Sequence, residues 1–333
     1  MDSLTQIVLG AAVGEAVLGK KIGNKALLYG AIAGTIPDLD VIANYFTDTI
    51  TATELHRGFS HSILFSVLMA PLLGWLVHKL ERKIDLGWRN WATLFFLGLF
   101  THAILDAFTT WGTQLFWPFD LRVAFNSIFV IDPLYTIPFL ACLLLLLFKK
   151  RNSAIRSKLN TFGIVLSSGY LLLTLGLKWF TYNQFKTALD AQGIAYNEIS
   201  TRPSPMNIIL WNANIDTAGR YLIADYSLFD SSKIVFSEYP KNRKESSYLA
   251  KKPNVQRLIA ISQGWYLLQQ QNNQWFFNDL RFGRLPSKSG EPQFVFSYIL
   301  EEKDGKIEAT EVRKTREDAQ YLLQSLWQRI KGI

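Results

Sequence analysis

Long apolar runs joined by short basic links fill about the first 180 residues, and a polar, aromatic-rich pattern follows. The runs predict six hydrophobic helices, at about 5–18, 25–37, 62–80, 91–108, 128–148 and 162–180. The last four approach the roughly 20 residues that a helix needs to cross a bilayer. The first two are shorter and rich in Gly and Ala, which suits close helix–helix contact and predicts a partly re-entrant hairpin. Core helices of a large soluble protein are the alternative. It is disfavoured by 128–148, which ends LACLLLLLF and is too apolar for most soluble folds.

Beyond residue 185 the period changes. Alternation predicts strands at 207–215, 220–229, 233–238 and 293–300, and a hairpin of 264–270 and 274–282 around a Gln-Asn-Asn turn. An amphipathic helix is expected at 315–330, with Thr315 and Asp318 as a capping box. The expected fold class is therefore an all-α polytopic membrane helical bundle of about six helices, residues 1–182. A soluble α+β domain follows, residues 183–333.

Charge then orients the bundle. Lys20, Lys21 and Lys25 follow the first helix. Lys79, Arg82, Lys83 and Arg89 follow the third, and Lys149, Lys150, Arg151, Arg156 and Lys158 follow the fifth. These are alternate links, so the excess of basic residues places all three in the cytoplasm. The N-terminus, the links 38–61 and 109–127, and everything after residue 181 are expected outside. The formal net charge of +8 is largely explained by these links, and no basic stripe or nucleic-acid motif accompanies it, so nucleic acid is not an expected partner. Cys142 is the single cysteine, which excludes an intrachain disulfide and a cysteine-based zinc site. The opening MDSLTQIVLGAAVGEAVLG has no basic segment and carries Glu15 within its apolar run, so it is not read as a signal peptide.

Candidate chemistry concentrates at the outer edge of this bundle. Three groups stand out: Asp38 and Asp40 in PDLD, His56 and His61 in HRGFSH, and His102 and Asp106 in HAILD. His102 and Asp106 lie four apart and project from one helix face. Asp38 and Asp40 point the same way if their segment is extended. His56 reaches back towards His61 if Gly58 bends the loop and Ser60 caps the next helix. The topology came from Lys and Arg alone, yet it brings all three groups to one level. Ionisable residues at that depth are costly and are usually functional. Imidazoles mixed with carboxylates suit Zn, Mn or Fe(II). The metal-ligand candidates are Asp38, His56, His61, His102 and Asp106. Asp40, Glu15 and Arg57 are candidates for catalysis, Asp40 and Glu15 as bases and Arg57 as an anion clamp; Glu15 is equally read as a metal ligand or as a carboxyl hydrogen-bonded to a neighbouring helix. Thr109, Thr110, Trp111 and Gln114 are candidates to line the cleft. Trp111, Trp117 and Phe119 are read chiefly as an interfacial aromatic belt, and Asp132-Pro133 as a kink in preference to a feature that supports the site from behind. His78 falls at the opposite end of its helix and is left out.

At MDSLTQ, PDLD, HRGFSHS and HAILDAFTTWGTQLFWPF the chain resembles the YdjM-like inner-membrane proteins, described as predicted membrane-bound metal-dependent hydrolases. The resemblance covers roughly residues 1–180. It implies an inner-membrane location and a distant similarity to zinc-dependent phospholipases C. By that analogy Asp38 or Asp40, His56 or His61, His102 and Asp106 would bind metal. The chain departs from the pattern at Gln6, where many members carry His, and it lacks the further His-rich helix of the phospholipases. The resemblance therefore implies one or two divalent ions, most naturally zinc. The expected function is hydrolysis of a lipid-linked or membrane-proximal ester or phosphoester, with membrane lipids as partners. A transporter and a non-enzymatic protein with a structural metal are the alternatives. The sequence sets no oligomeric state.

Overall fold

In the computed structural model the first helix starts at a side-chain cap. The Asp2 carboxylate accepts the Thr5 N–H at 3.1 Å, and α1 runs Ser3–Ile22. The structure describes residues 1–285, 293–303, 306–312 and 316–333, without the side chains of 316–320. The expected Thr315–Asp318 box lies outside the described residues. In chain order come α2 (Asn24–Thr35), a 3-10 segment (Ile36–Tyr45), α3 (Thr49–Leu55), a 3-10 turn (Phe59–His61), α4 (Ile63–Leu80), α5 (Gly87–Ala107), α6 (Pro133–Leu147) and α7 (Ala154–Ala191). Strands β1 (Glu198–Pro203), β2 (Leu210–Asp216), β3 (Arg220–Ser227) and β4 (Ser237–Pro240) follow. The chain closes with α8 (Ser247–Ala250), α9 (Pro253–Ile261), β5 (Tyr266–Gln271), β6 (Gln274–Leu285), β7 (Gln293–Lys303), β8 (Lys306–Glu311) and α10 (Arg316–Ile330).

Two compact units divide these elements. The first holds Met1–Ala43, Leu55–Gly176 and Pro205–Asn207; the second holds Asn44–Glu54, Leu177–Ser204 and Ile208–Ile333. The division falls inside α7 because its later turns put Leu177, Phe185 and Leu189 into the core of the second unit.

Among the described residues, three helical stretches are long and apolar enough to cross a membrane: Asn24–Tyr45, Ile63–Leu80 and Ala154–Ala191. The reading of about six spanning helices is thus supported for three by length and composition. α6, at Pro133–Leu147, is apolar but short. α1 and α5 spend polar residues on the interior: Thr5, Gln6 and Glu15 in one, His102 and Asp106 in the other, are all buried.

The glycines of α1 and α2 bring backbones together, as small residues do between membrane helices. A Cβ at Gly30 would meet the Gly10 carbonyl oxygen at 2.2 Å, and a Cβ at Gly98 of α5 would meet the Ala33 Cβ at 2.5 Å. α2 therefore lies tight against both α1 and α5.

Glu15, a candidate base from the sequence, is committed elsewhere. Arg156 at the start of α7 donates to both of its carboxylate oxygens, at 2.7 and 2.6 Å. Arg156 also donates to Asn24 Oδ1 at 2.7 Å and to the Lys149 carbonyl at 3.1 Å. Both partners are buried, so this pair locks α1 to α7. Arg156 is therefore more than a loose topological charge.

Among its described residues the second unit carries two four-stranded antiparallel sheets, ordered β1-β2-β3-β4 and β5-β6-β7-β8. The β5–β6 turn is the two residues Asn272 and Asn273, at φ +48 and +63, as a tight hairpin turn requires. β1, β8, α8 and α9 were not anticipated, and the strand expected at 233–238 is found at Ser237–Pro240. The β1 segment EISTRP has no clean alternation, because Thr201, Arg202 and Pro203 are buried in succession.

Removing only one member of the buried pair leaves an uncompensated charge, which typically costs about 3–5 kcal/mol. Glu15→Leu alone should lower thermal stability strongly, and Glu15→Leu with Arg156→Leu should recover most of the loss. Melting curves of the purified variants check this.

Candidate metal centre

Three separated stretches meet within the first unit. Asp38 comes from the 3-10 segment after α2 and His61 from the 3-10 turn before α4. His102 and Asp106 lie one turn apart on α5. One donor atom from each of the four lies within 4.8 Å of every other, a group that can hold a metal ion.

The distances are specific. His61 Nε2 is 3.1 Å from His102 Nε2, 3.4 Å from Asp38 Oδ1 and 3.2 Å from Asp106 Oδ2. His102 Nε2 is 3.5 and 3.3 Å from the same two oxygens. A tetrahedral ion with bonds of about 2.0–2.2 Å has donor-to-donor edges of roughly 3.3–3.6 Å. Three of the five distances fall in that range and the other two lie within 0.2 Å of it, so the donor set and its spacing suit such an ion.

The rings are held from behind. His102 Nδ1 donates to the Gly34 carbonyl at 2.6 Å, which leaves the Nε2 lone pair of the neutral ring facing the cage. His61 Nδ1 sits 2.9 Å from Ser60 Oγ and 3.3 Å from Asp40 Oδ2. Partners of this kind fix the tautomer and orientation of metal-ligating imidazoles. Asp106 Oδ1 accepts from Gln6 Nε2 at 3.0 Å and from the Met1 amine. Its Oδ2 is buried and has no donor in hydrogen-bond geometry. An oxygen in that state has its lone pairs open to a cation.

Burial works against a charged ring at His61. The carboxylates of Asp106, Asp38 and Asp40 around the ring outweigh it and push the imidazole pKa up to about 9. The cage therefore attracts positive charge. Only Asp38 of the four reaches solvent, with 17% of its side chain exposed; the other three side chains are at 0%.

Several sequence expectations need correction. His56, expected as a ligand, is outside the group: its Nδ1 is spent on Asp40 Oδ1 at 3.0 Å, and its ring lies 5.8 Å from that of Trp111. Asp38 and Asp40 do not share a direction. Their segment is a 3-10 helix with three residues per turn, so residues two apart diverge. Asp38 faces His61 Nε2 while Asp40 faces His61 Nδ1. The cap of α4 is Ser62, whose Oγ accepts the Phe65 N–H at 3.0 Å; Ser60 is taken by Asp40 and His61. Asp132 caps α6 through the Leu134 and Tyr135 N–H groups, with Pro133 in the first turn, so it makes no kink. Glu15 lies nine residues along α1 from Gln6, about 13 Å at 1.5 Å per residue, and takes no part.

Arg57 does border the cage. Its Nε is 3.4 Å from Asp106 Oδ2 and its Nη1 donates to Thr109 Oγ1 at 2.7 Å. Its backbone stands at φ +58, held by Asp40 Oδ2 accepting its N–H at 2.8 Å and by the Gln114 N–H reaching its carbonyl at 3.1 Å. A non-glycine residue in that region is strained, and strain of this kind clusters at functional sites. Gln6 and the Gly34 carbonyl were missed as parts of the site. Gln6 carried a signal, as the place where the family pattern has His. The Gly34 carbonyl carried none, because a backbone acceptor leaves no mark in sequence.

The fold and site together define a membrane protein with an interior His/Asp cage. Residues 1–185, more than half of the chain, match the family described as YdjM inner membrane protein, and the chain belongs to that family. It is 30% identical over 114 residues to the inner membrane protein YbcI of Escherichia coli (strain K12). That match covers 34% of this chain and 64% of YbcI, so the chain spans somewhat less than two thirds of this relative. No solved structure matches the chain. The family and its apolar helices place the protein in the inner membrane.

Elemental analysis of protein purified in detergent tests the cage. The wild type is expected to hold a divalent metal, and His61→Ala and His102→Ala to lose it. Equal metal content in all three would remove the assignment.

Proposed function

We propose that the protein is a metal-dependent hydrolase of the inner membrane, acting at the extracytoplasmic face on a lipid-linked or membrane-proximal phosphoester. The observation that carries this reading is the paired set of imidazoles. Both have Nδ1 tied to an acceptor or hydroxyl and Nε2 aimed at two carboxylate oxygens. Asp38, His61, His102 and Asp106 would hold the ion, with zinc favoured and manganese or iron compatible with the same donors. Bound there, a divalent metal supplies Lewis acidity and lowers the pKa of a coordinated water.

The chain's own groups do the rest. Asp38 stands at the solvent edge of the cage, the side open to a substrate. The Arg57 guanidinium, fixed beside Asp106, offers a planar fork that suits a phosphate oxygen. Asp40 acts from behind as a positioning residue. It sets the His61 ring and holds the left-handed backbone of Arg57, so one carboxylate aligns a ligand and the anion clamp together. His56, partly exposed and oriented by Asp40, flanks this edge. In this reading the basic links face the cytoplasm and the second unit lies outside.

A specific observation favours a second reading. Four protein side chains converge, enough to fill the coordination sphere of a tetrahedral zinc ion, and sites closed in that way are usually structural. The two readings separate at His102→Ala. A structural ion should cost folding, read as a fall in melting temperature and yield. A catalytic ion should cost turnover in a phosphodiester and phospholipid hydrolysis screen while the variant stays folded. Absence of any metal-dependent hydrolysis by the metal-loaded wild type would sink the enzyme.

Asp40→Asn should weaken metal affinity by about 10–100-fold, as loss of supporting partners typically does, while the apo-protein melts near the wild type. Titration with Co(II) reads both the affinity and, through its d–d bands, the coordination geometry. Unchanged affinity and spectrum would exclude the positioning role.

A further inference from the structure

Residues 112–123 form a small hairpin between the end of α5 and the start of α6, closed by the reciprocal N–H to carbonyl bonds of Thr113 and Val123 at 3.0 and 2.9 Å. Its base is fastened to residues that border the cage. The Gln114 N–H reaches the Arg57 carbonyl at 3.1 Å, and the Arg122 Nη2 reaches the His56 carbonyl at 3.1 Å. Thr113 Oγ1 donates to the Ala103 carbonyl of α5 at 3.3 Å.

Its tip is of opposite character. Phe116, Trp117, Phe119 and Leu121 are 50%, 37%, 73% and 55% exposed. Phe59 stacks edge-on against Trp117 with ring centroids 4.8 Å apart and is itself exposed. Asp120, the charged residue among them, is tied back by Gln114 Nε2 at 3.1 Å.

The level of the tip is set by one more bond. The Ile63 N–H, at the first residue of the α4 span, donates to the Leu115 carbonyl at 3.0 Å. The apolar tip therefore begins at the depth where a membrane-crossing helix begins. Aromatic side chains gather at that depth because their rings suit the boundary of headgroups and acyl chains.

We infer that the 115–121 tip is immersed in the leaflet of a phospholipid bilayer that meets the start of α4. Because its base is joined to Arg57 and His56, the hairpin holds the cage at headgroup depth. Trp111 is separate from this anchor: it packs on His56 and under Arg122. A consequence, which rests on the hydrolase reading, is that a phospholipid-type headgroup reaches the cage without leaving the membrane. The immersion itself does not depend on that reading.

The test uses the full chain in phosphatidylcholine vesicles. A nitroxide is placed at Phe119→Cys in a Cys142→Ala background. Collisions with oxygen should exceed those with a water-soluble nickel chelate, at a depth near the glycerol backbone. Dominance of the chelate would place the tip in water, and low access to both would place it against protein, such as a second copy; either result overturns the proposal. Trp117→Phe gives an independent reading. Subtracting its emission from the wild type should isolate a component quenched by lipids brominated near the headgroup end. Absence of such a component also overturns the proposal. Metal content of the same samples is measured alongside. Normal immersion without bound metal would sink the cage reading and leave the anchor standing.

Discussion

Two carboxylates and two imidazoles packed against one another inside a membrane bundle are expensive, and the rest of the first unit is arranged around that expense. Taking an isolated carboxylate out of water costs several kcal/mol even after relaxation. Asp106 and its neighbours are therefore stable only where every lone pair faces a donor or a cation. Gln6 and the Met1 amine supply part of that at Asp106 Oδ1. The Nε2 atoms of His61 and His102 and the unsatisfied Asp106 oxygen define the remainder, a space of the right size and chemistry for a divalent ion.

Helix packing makes this geometry possible. The His102 ring is aimed by the Gly34 carbonyl near the C-terminal end of α2, where helical carbonyls lack partners within the helix. That carbonyl lies within 2.6 Å of the ring only because α2 approaches α5 closely at Gly98 and Ala33. α2 in turn is seated on α1 through Gly10 and Gly30. Small residues thus act at a distance. They set the spacing between helices, and the spacing sets which backbone oxygen a histidine meets. The Glu15–Arg156 pair closes the far end of the same bundle by joining α1 to α7.

The second unit has a different logic. Its cores are built from sheet faces and the later turns of α7, and polar side chains are buried within it, such as the Asp279–Arg281 pair. Among its described residues no histidine occurs, and the His/Asp group belongs wholly to the first unit.

Much was readable in the chain alone, for definite reasons. Apolar runs mark helices because the bilayer and the core both exclude polar side chains. The i, i+4 spacing of His102 and Asp106 puts them on one face whatever else the fold does. Asp38, His61, His102 and Asp106 were all named from their residue types and neighbourhood. The choice between His56 and His61, and between Asp38 and Asp40, was not readable. It turned on a 3-10 helix whose pitch separates two aspartates, and on a left-handed residue at Arg57 held by contacts 17 and 57 positions away. Local pattern carries information about faces and periods. Which oxygen meets which nitrogen is decided by the approach of distant backbones, and only the folded chain contains that distance.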